Sequence, residues 1–329
     1  MGDAATGQGL DTELEKYRRE LTGYCYRMLG SSFEAEDAVQ DTLVRAWRSL
    51  DGFEGRSSLR SWLYRIATNV CLDMLHAGNR RARPMDLSAP TPVDRAQLRT
   101  RPEETWLEPV PDGRILPSVA DPAERAVQRE TIRLAFVAAL QHLPPKQRAV
   151  LILREVLAWQ ASEVAQLLDT SVAAVNSALQ RARATLAESP PARSDPADPL
   201  DEEQRKLLER YVAAFEGYDM EALKRVLHDD ATLSMPPYDL WLRGHENIVG
   251  WLLGTGSVCI GSRLVPTTAN GMPAFAHYHV AEDGLPGHTA WALMVMDLRE
   301  GRVAGIHSFL DTARLFPHFD LPLRLEPAG

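Results

Sequence analysis

Prolines at positions 84, 90, 92, 102, 109, 111, 117 and 122 divide this chain. Each fixes φ and removes a backbone donor, and at that density neither a helix nor a central strand is expected to survive. Residues 84–122 therefore read as an extended linker. A second break runs from Ser189 to Pro199, with Pro190-Pro191, Asp195-Pro196 and Asp198-Pro199 in eleven positions. Three segments are left to fold, which suits 329 residues, a length at which single cores give way to separate domains. From Leu14 to Leu75 apolar residues recur at helical spacing: Tyr17, Leu21, Tyr24 and Met28, then Val39, Leu43, Ala46, Trp47 and Leu50. Ala123–Glu188 is helical again, interrupted at Pro144-Pro145 and around Asp169–Ser171. After Leu200 a helix over Glu202–Phe215 leads into shorter apolar runs. Thr289–Leu298 has strand composition, and Arg299-Glu300-Gly301 turns it into Arg302–Leu310 as a hairpin.

The net charge of -9 speaks against nucleic acid as a partner, but the sum hides a division. Up to Arg193 there are 25 basic and 25 acidic residues; from Ser194 onward 11 basic face 20 acidic. A neutral front with local basic clusters can bind DNA when a larger partner supplies most of the affinity, whereas the acidic rear cannot. Cys25, Cys71 and Cys259 are odd in number and far apart, so spacing writes neither a disulfide framework nor a zinc cluster, and they read as small core hydrophobes. No cofactor or metal is implied. Met1–Asp11 lacks a basic stretch followed by an apolar core, and no uncharged apolar run reaches the roughly 18 residues of a membrane span. A cytoplasmic protein without membrane contact is expected.

The most specific local pattern is a short helix over Ser162–Leu168, a turn at Asp169-Thr170-Ser171 that Ser171 can cap, and a longer helix from Val172. Val164, Ala165, Leu168, Val172, Val175 and Leu179 can pack between the two. This fits a helix-turn-helix whose second helix enters the major groove, with an ordinary helical hairpin as the other reading. Ala174, Asn176, Ser177, Gln180 and Arg181 face outward in the first reading. Amides there can read adenine edges, and arginine can read guanine or hold phosphate.

Two longer motifs carry a family resemblance. Glu36-Asp37-Ala38-Val39-Gln40-Asp41-Thr42-Leu43-Val44-Arg45-Ala46-Trp47, followed by Phe53 through Asn69, closely resembles domain two of extracytoplasmic-function sigma factors. Leu143-Pro144-Pro145-Lys146-Gln147-Arg148 through Gln180-Arg181-Ala182-Arg183 resembles their domain four. The likeness covers about the first 190 residues. It implies core RNA polymerase, through its largest and second-largest subunits, and promoter DNA as partners. It sets Asp37, Gln40, Asp41 and Arg45 against the coiled coil of the largest subunit, with Trp47 either joining them or, the favoured reading, packing in the core. The minus-ten element would be held by Phe53, Arg56, Ser57, Arg60, Trp62, Arg65 and Asn69, residue types suited to stacking on melted bases and tracking their backbone, with packing, which its apolar context suits, as the other reading of Trp62. The minus-thirty-five element would meet Ser171, Ala174, Asn176, Ser177, Gln180, Arg181 and Arg183. Where many relatives carry a basic residue, this chain has Asn176 and Ala178, so weaker minus-thirty-five binding is expected. Arg80, Arg81 and Arg83 offer a compensating basic cluster or, equally, a solvated helix end.

Residues 201–320 resemble the SnoaL-like branch of the ketosteroid-isomerase-like, nuclear-transport-factor-like α+β cone. The layout carries this: Tyr211 and Phe215 on the opening helix, then Tyr218–Leu223, His228–Thr232 and Arg243-Gly244-His245-Glu246. Sigma factors with such a domain commonly hold a tryptophan- and proline-containing linker signature, which Trp106-Leu107-Glu108-Pro109-Val110-Pro111-Asp112 resembles. Trp106, Leu107, Pro109 and Asp112 become docking candidates, with intramolecular contact among linker, C-terminal domain and sigma domains. Phe275, His277 and His279 alternate onto one strand face, as do His307, Phe309 and Asp311 on another. With Trp241 and Trp291, His277, His279 and His307 are candidate pocket residues. Catalysis, ligand sensing and a purely structural surface all stay open, since such folds host each.

The expected architecture is therefore multidomain: an all-α sigma domain 2 over 12–83, a linker over 84–122, an all-α domain 4 with its helix-turn-helix over 123–188, a linker over 189–200, and an α+β cone over 201–322. The function it implies is a non-enzymatic sigma factor modulated in cis by its C-terminal domain. Two alternatives are a helix-turn-helix regulator with a ligand-sensing domain, and a SnoaL-like enzyme with a DNA-binding appendage.

Overall fold

The computed structural model describes residues 13–50, 58–77, 80–95, 97–116, 121–188, 195, 201–282, 284 and 286–327. The chain forms two compact units: Met1–Arg81 with Asp112–Pro191, and Ala82–Pro111 with Ala192–Gly329.

The first unit opens on α1 (Arg18–Leu29), α2 (Ser32–Arg48) and α3 (Leu59–Ala77). Gly30 ends α1 in the left-handed region, at φ 75°, and donates to the Tyr26 carbonyl; Ser31 Oγ then accepts from Glu34 N–H to start α2. This two-residue reversal lets α1 and α2 share a core of Leu21, Tyr24, Met28, Val39 and Leu43 with Leu63 and Ala67 of α3. The Tyr24 hydroxyl lies 2.8 Å from Thr68 Oγ1 within it. After α4 (Pro84–Leu87), which belongs to the second unit, the first unit resumes with α5 (Asp112–Ile115), α6 (Pro122–Glu130), α7 (Leu134–Gln141) and α8 (Pro145–Leu151). A π-turn over Ile152–Val156 follows, then α9 (Ala161–Leu167) and α10 (Val172–Glu188).

The two helical segments of this unit are packed together rather than apart. Two buried guanidiniums join them. Arg27 donates to Gln128 Oε1 at 2.7 Å and to Thr131 Oγ1 at 2.9 Å, while Arg148 donates to the Met28 carbonyl and to Gln141 Oε1 at 2.7 Å. Burial lowers both to about 10, still charged at neutral pH. Arg148→Ala strips partners from the Met28, Gln141 and Leu143 carbonyls. It is expected to destabilise this unit by about 2–3 kcal/mol in urea unfolding.

In the second unit α11 (Glu202–Glu216) and α12 (Met220–Val226) precede β1 (Leu227–Ser234), β2 (Trp241–Arg243) and α13 (His245–Leu253). Then come β3 (Arg263–Ala269), β4 (Met272–Val280), β5 (His288–Arg299), β6 (Arg302–Phe309), α14 (Thr312–His318) and β7 (Arg324–Leu325). The sheet order is β2-β1-β6-β5-β4-β3, with β7 on β5; only β1 and β6 are parallel. The expected β5–β6 hairpin forms, its turn at Glu300 and Gly301 with φ 53° and 68°. Tyr211, Phe215, Leu223, Ile248, Trp251, Phe275 and Met294 are among the core where the helices cover the sheet.

The proline-rich segment is not simply extended. It holds single turns at Pro84–Leu87, Val93–Arg95 and Glu103–Thr105; Pro84 opens the first, where proline costs no hydrogen bond, and Pro92 and Pro102 immediately precede the other two. Residues 82–111 form a strap knitted into the C-terminal domain. Thr91 N–H donates to the Trp241 carbonyl, Trp241 Nε1 to the Ser88 carbonyl, Arg101 N–H to Pro237, and Asp239 N–H to Arg99. At its end Val110 N–H donates to Asn270 Oδ1 at 3.1 Å, Asn270 N–H returns to the Val110 carbonyl at 3.0 Å, and Pro111 bridges Ala269. Ala82 and Leu107 close the base by Ala82 N–H to Thr105 and Leu107 N–H to Ala82.

Candidate functional site

On α2 the inward positions go to Ala35, Ala38, Val39, Thr42, Leu43 and Ala46, leaving Asp37, Gln40, Asp41 and Arg45 exposed along one face. Arg45 spans it, 3.4 Å from Asp41 and 3.7 Å from Asp73. Trp47 corrects the sequence reading. Ala46 takes the core position, so the next residue swings outward and the indole is 60% exposed.

Of the minus-ten candidates, Phe53, Arg56 and Ser57 lie outside the described residues. Arg65 and Asn69 are exposed four positions apart on α3, and Trp62 is half-buried. Arg60 is engaged: it donates to Glu20 at 3.1 Å and lies over the rings of Tyr64 and Trp159, 5.3 and 5.5 Å from their centroids. Tyr64 and Trp159 are themselves 5.0 Å apart. Trp159 thus ties the segment before α9 to the α3 face, a role that its isolated position in the sequence did not signal.

Helices α9 and α10 form the helix-turn-helix. Val164, Ala165, Leu167, Val175, Leu179 and Ala182 are buried, and Ser171 Oγ accepts from Ala174 N–H at 3.1 Å. Ala174, Asn176, Ser177, Gln180, Arg181 and Arg183 are exposed on α10, with Arg183 ion-paired to Glu155. Val172, expected to pack, is exposed, since the turn places it before the helix meets its partner. Two of the three arginines in the basic cluster after α3 are paired with carboxylates. Arg81 pairs with Glu34 at 2.7 Å, Arg83 with Asp86 at 3.0 Å, and Arg80 sits 2.8 Å from His142 Nδ1.

Among the linker candidates Trp106, Leu107 and Pro109 are buried in the strap, whereas Asp112 begins α5 in the first unit. The C-terminal domain encloses a cavity of about 40 Å³ lined by residues including Tyr211, Phe215, Trp251, Cys259, His277 and Trp291. Three of the five expected pocket residues do not line it. His307 turns to the opposite face, because Ile306 and Ser308 alternate inward; it is 3.0 Å from both Ser234 Oγ and Asp297 Oδ2. Trp241 reaches Ser88, and His279 lies behind His277 with its ring stacked on Trp291 at 4.0 Å. Burial lowers His277 well below the usual imidazole range, and His279 to about 4.

Residues 14–81 match the Sigma-70 region 2 family, residues 133–186 match Sigma-70, region 4, and residues 208–306 match the SnoaL-like domain. Over 315 residues, 94% of this chain and 82% of the relative, the sequence is 47% identical to the ECF RNA polymerase sigma factor SigG of Mycobacterium tuberculosis. The chain belongs to the ECF RNA polymerase sigma factors. This sigma factor is also 28% identical to SigJ of the same organism, over 90% of this chain and 89% of the relative. The crystal structure of SigJ shares its fold, with TM-score 0.59 and 23% identity over 95% of this chain and 99% of that one. Core RNA polymerase and promoter DNA are accordingly the partners of the family, and the chain carries a SnoaL-like domain beyond the two sigma regions. Among the described residues, no helix of the sigma factor is long and apolar enough to cross a membrane.

Proposed function

We propose that this sigma factor is controlled in cis, in the cytoplasm, by its C-terminal domain through the strap. The exposed α2 face with Trp47 docks on the coiled coil of the largest polymerase subunit. The α3 face and the loop before it hold the melted minus-ten strand, and α10 meets the minus-thirty-five duplex while region 4 engages the second-largest subunit. The two promoter elements lie about 25 base pairs, or roughly 85 Å, apart. A compact unit of some 150 residues is about half that across. Regions 2 and 4, packed through Arg27, Arg148 and the Tyr64–Trp159 contact, must therefore part before both elements are held.

The observation that carries the cis reading is the strap. Residues 82–111 are the covalent path from region 2 to region 4, and backbone hydrogen bonds tie them to the C-terminal domain at Trp241, Pro237, Asp239 and Asn270. A chain segment so held cannot lengthen freely, and its docking state limits how far the two regions move apart. The C-terminal domain is a contact surface rather than a catalyst. Its cavity of about 40 Å³ is far below the several hundred of a substrate pocket, and the Ser234–His307–Asp297 chain faces away from it. Removing residues 201–329 is expected to change transcript yield several-fold in reconstitution with core polymerase. Unaltered output from the shortened chain, folded by circular dichroism, would defeat control in cis.

A further inference from the structure

We infer that Cys259, His277 and His279 form a binding site for a single thiophilic divalent cation of the zinc type, on the C-terminal domain. Far apart in sequence, they meet because the 3-10 turn Thr255–Cys259 ends beside β4, whose alternation presents both histidines on one face. One ligand atom from each lies within 4.8 Å of the others, and all three residues are buried. Two imidazoles and one thiol are a zinc donor set, and three protein ligands with an open fourth position describe a site that also takes water or a small ligand.

The surroundings fit that use. His279 is 95% buried and its Nε2 has no hydrogen-bond partner, a costly state for a polar atom that a metal bond would relieve. His277 is already oriented by Ser262 Oγ, 2.9 Å from its Nε2, as second partners of metal-bound histidines commonly do. Cys259 and His277 both border the cavity of about 40 Å³, room for about one water to complete a tetrahedron. Ligand atoms around zinc stand about 3.3–3.6 Å apart, given bonds of about 2.0–2.3 Å. A pair at the full 4.8 Å therefore needs to close by about 1.2–1.5 Å, within the reach of side-chain torsions. Binding releases the Cys259 thiol proton to solvent and leaves the imidazoles neutral. Trp291, 41% exposed, lines the cavity and stacks on His279, giving the site an edge open to solvent.

The full-length protein, stripped of metal, is titrated with Co²⁺ and then Zn²⁺. One Co²⁺ per chain is expected, with a thiolate-to-cobalt charge-transfer band that Zn²⁺ abolishes, and X-ray absorption of the zinc-loaded protein should show one sulfur in the metal shell. Cys259→Ser should remove the band, and His279→Gln should weaken Zn²⁺ binding at least tenfold. A wild-type protein that shows no band, a shell with no sulfur or with two, or a band that survives Cys259→Ser would overturn the assignment. The wild-type measurements decide the matter even if a variant fails to fold, and none of them involves polymerase or DNA.

Discussion

Trp47→Ala is expected to raise the Kd for core RNA polymerase about thirtyfold or more while leaving the thermal midpoint of the free protein nearly unchanged. The side chain is 60% exposed, so truncation removes little intramolecular packing, and surface changes of this kind stay within about 0.5 kcal/mol. Tryptophan at the centre of a protein interface carries about 2 kcal/mol or more, which is that thirtyfold. Asp41 and Arg45, paired with each other at 3.4 Å in the free protein, are worth less individually, because exposed ion pairs exchange one partner for another at small net gain. Binding of labelled chain to core polymerase, read beside a melting curve, separates the cases. An unchanged Kd takes Trp47 out of the interface; a lowered midpoint returns it to a packing role.

That residue also shows where sequence reading stops. The period of α2 was plain, and so was the face carrying Asp37, Gln40, Asp41 and Arg45. Ala46 and Trp47 are adjacent apolar residues, however, and periodicity alone cannot say which one the core takes. The small side chain takes it: Ala46 is fully buried and the indole of Trp47 is left 60% exposed. The helix-turn-helix was legible for the opposite reason: a capped turn between two periodic segments is local. The β5–β6 hairpin was equally local, and Asn270-Gly271, with φ 57° and 67°, is the local signal for the β3–β4 turn. What could not be read was pairing across distance. Nothing in the spacing of Arg27, Arg148 and Trp159 announces that regions 2 and 4 close on one another, and Cys259 is separated from His277 and His279 by a strand. His307 lies off the cavity although its strand's alternation was plain, since alternation fixes which residues go together but not which side the cavity is on.

Trp106→Ala should release the strap. The indole is 3% exposed, and replacing a buried tryptophan with alanine costs about 3–5 kcal/mol. The loss falls on a segment stabilised by few elements of its own: three single turns and a ladder of separate backbone hydrogen bonds. Local opening is expected ahead of global unfolding. The Arg99 carbonyl, which accepts from Asp239 N–H in the docked strap, then becomes free to enter a protease site. Trypsin cleavage after Arg99 should accelerate by about 100-fold, following the open population at about 3 kcal/mol. Cuts elsewhere in the C-terminal domain should lag behind, and Trp106→Phe should restore most of the protection. In reconstituted transcription the alanine variant should shift output in the same direction as removal of residues 201–329, because both free the same covalent path between regions 2 and 4. Cleavage after Arg99 at the wild-type rate would mean that Trp106 is not the anchor. Faster cleavage with unchanged transcription would separate the strap from control, and would place any effect of the C-terminal domain elsewhere on its surface.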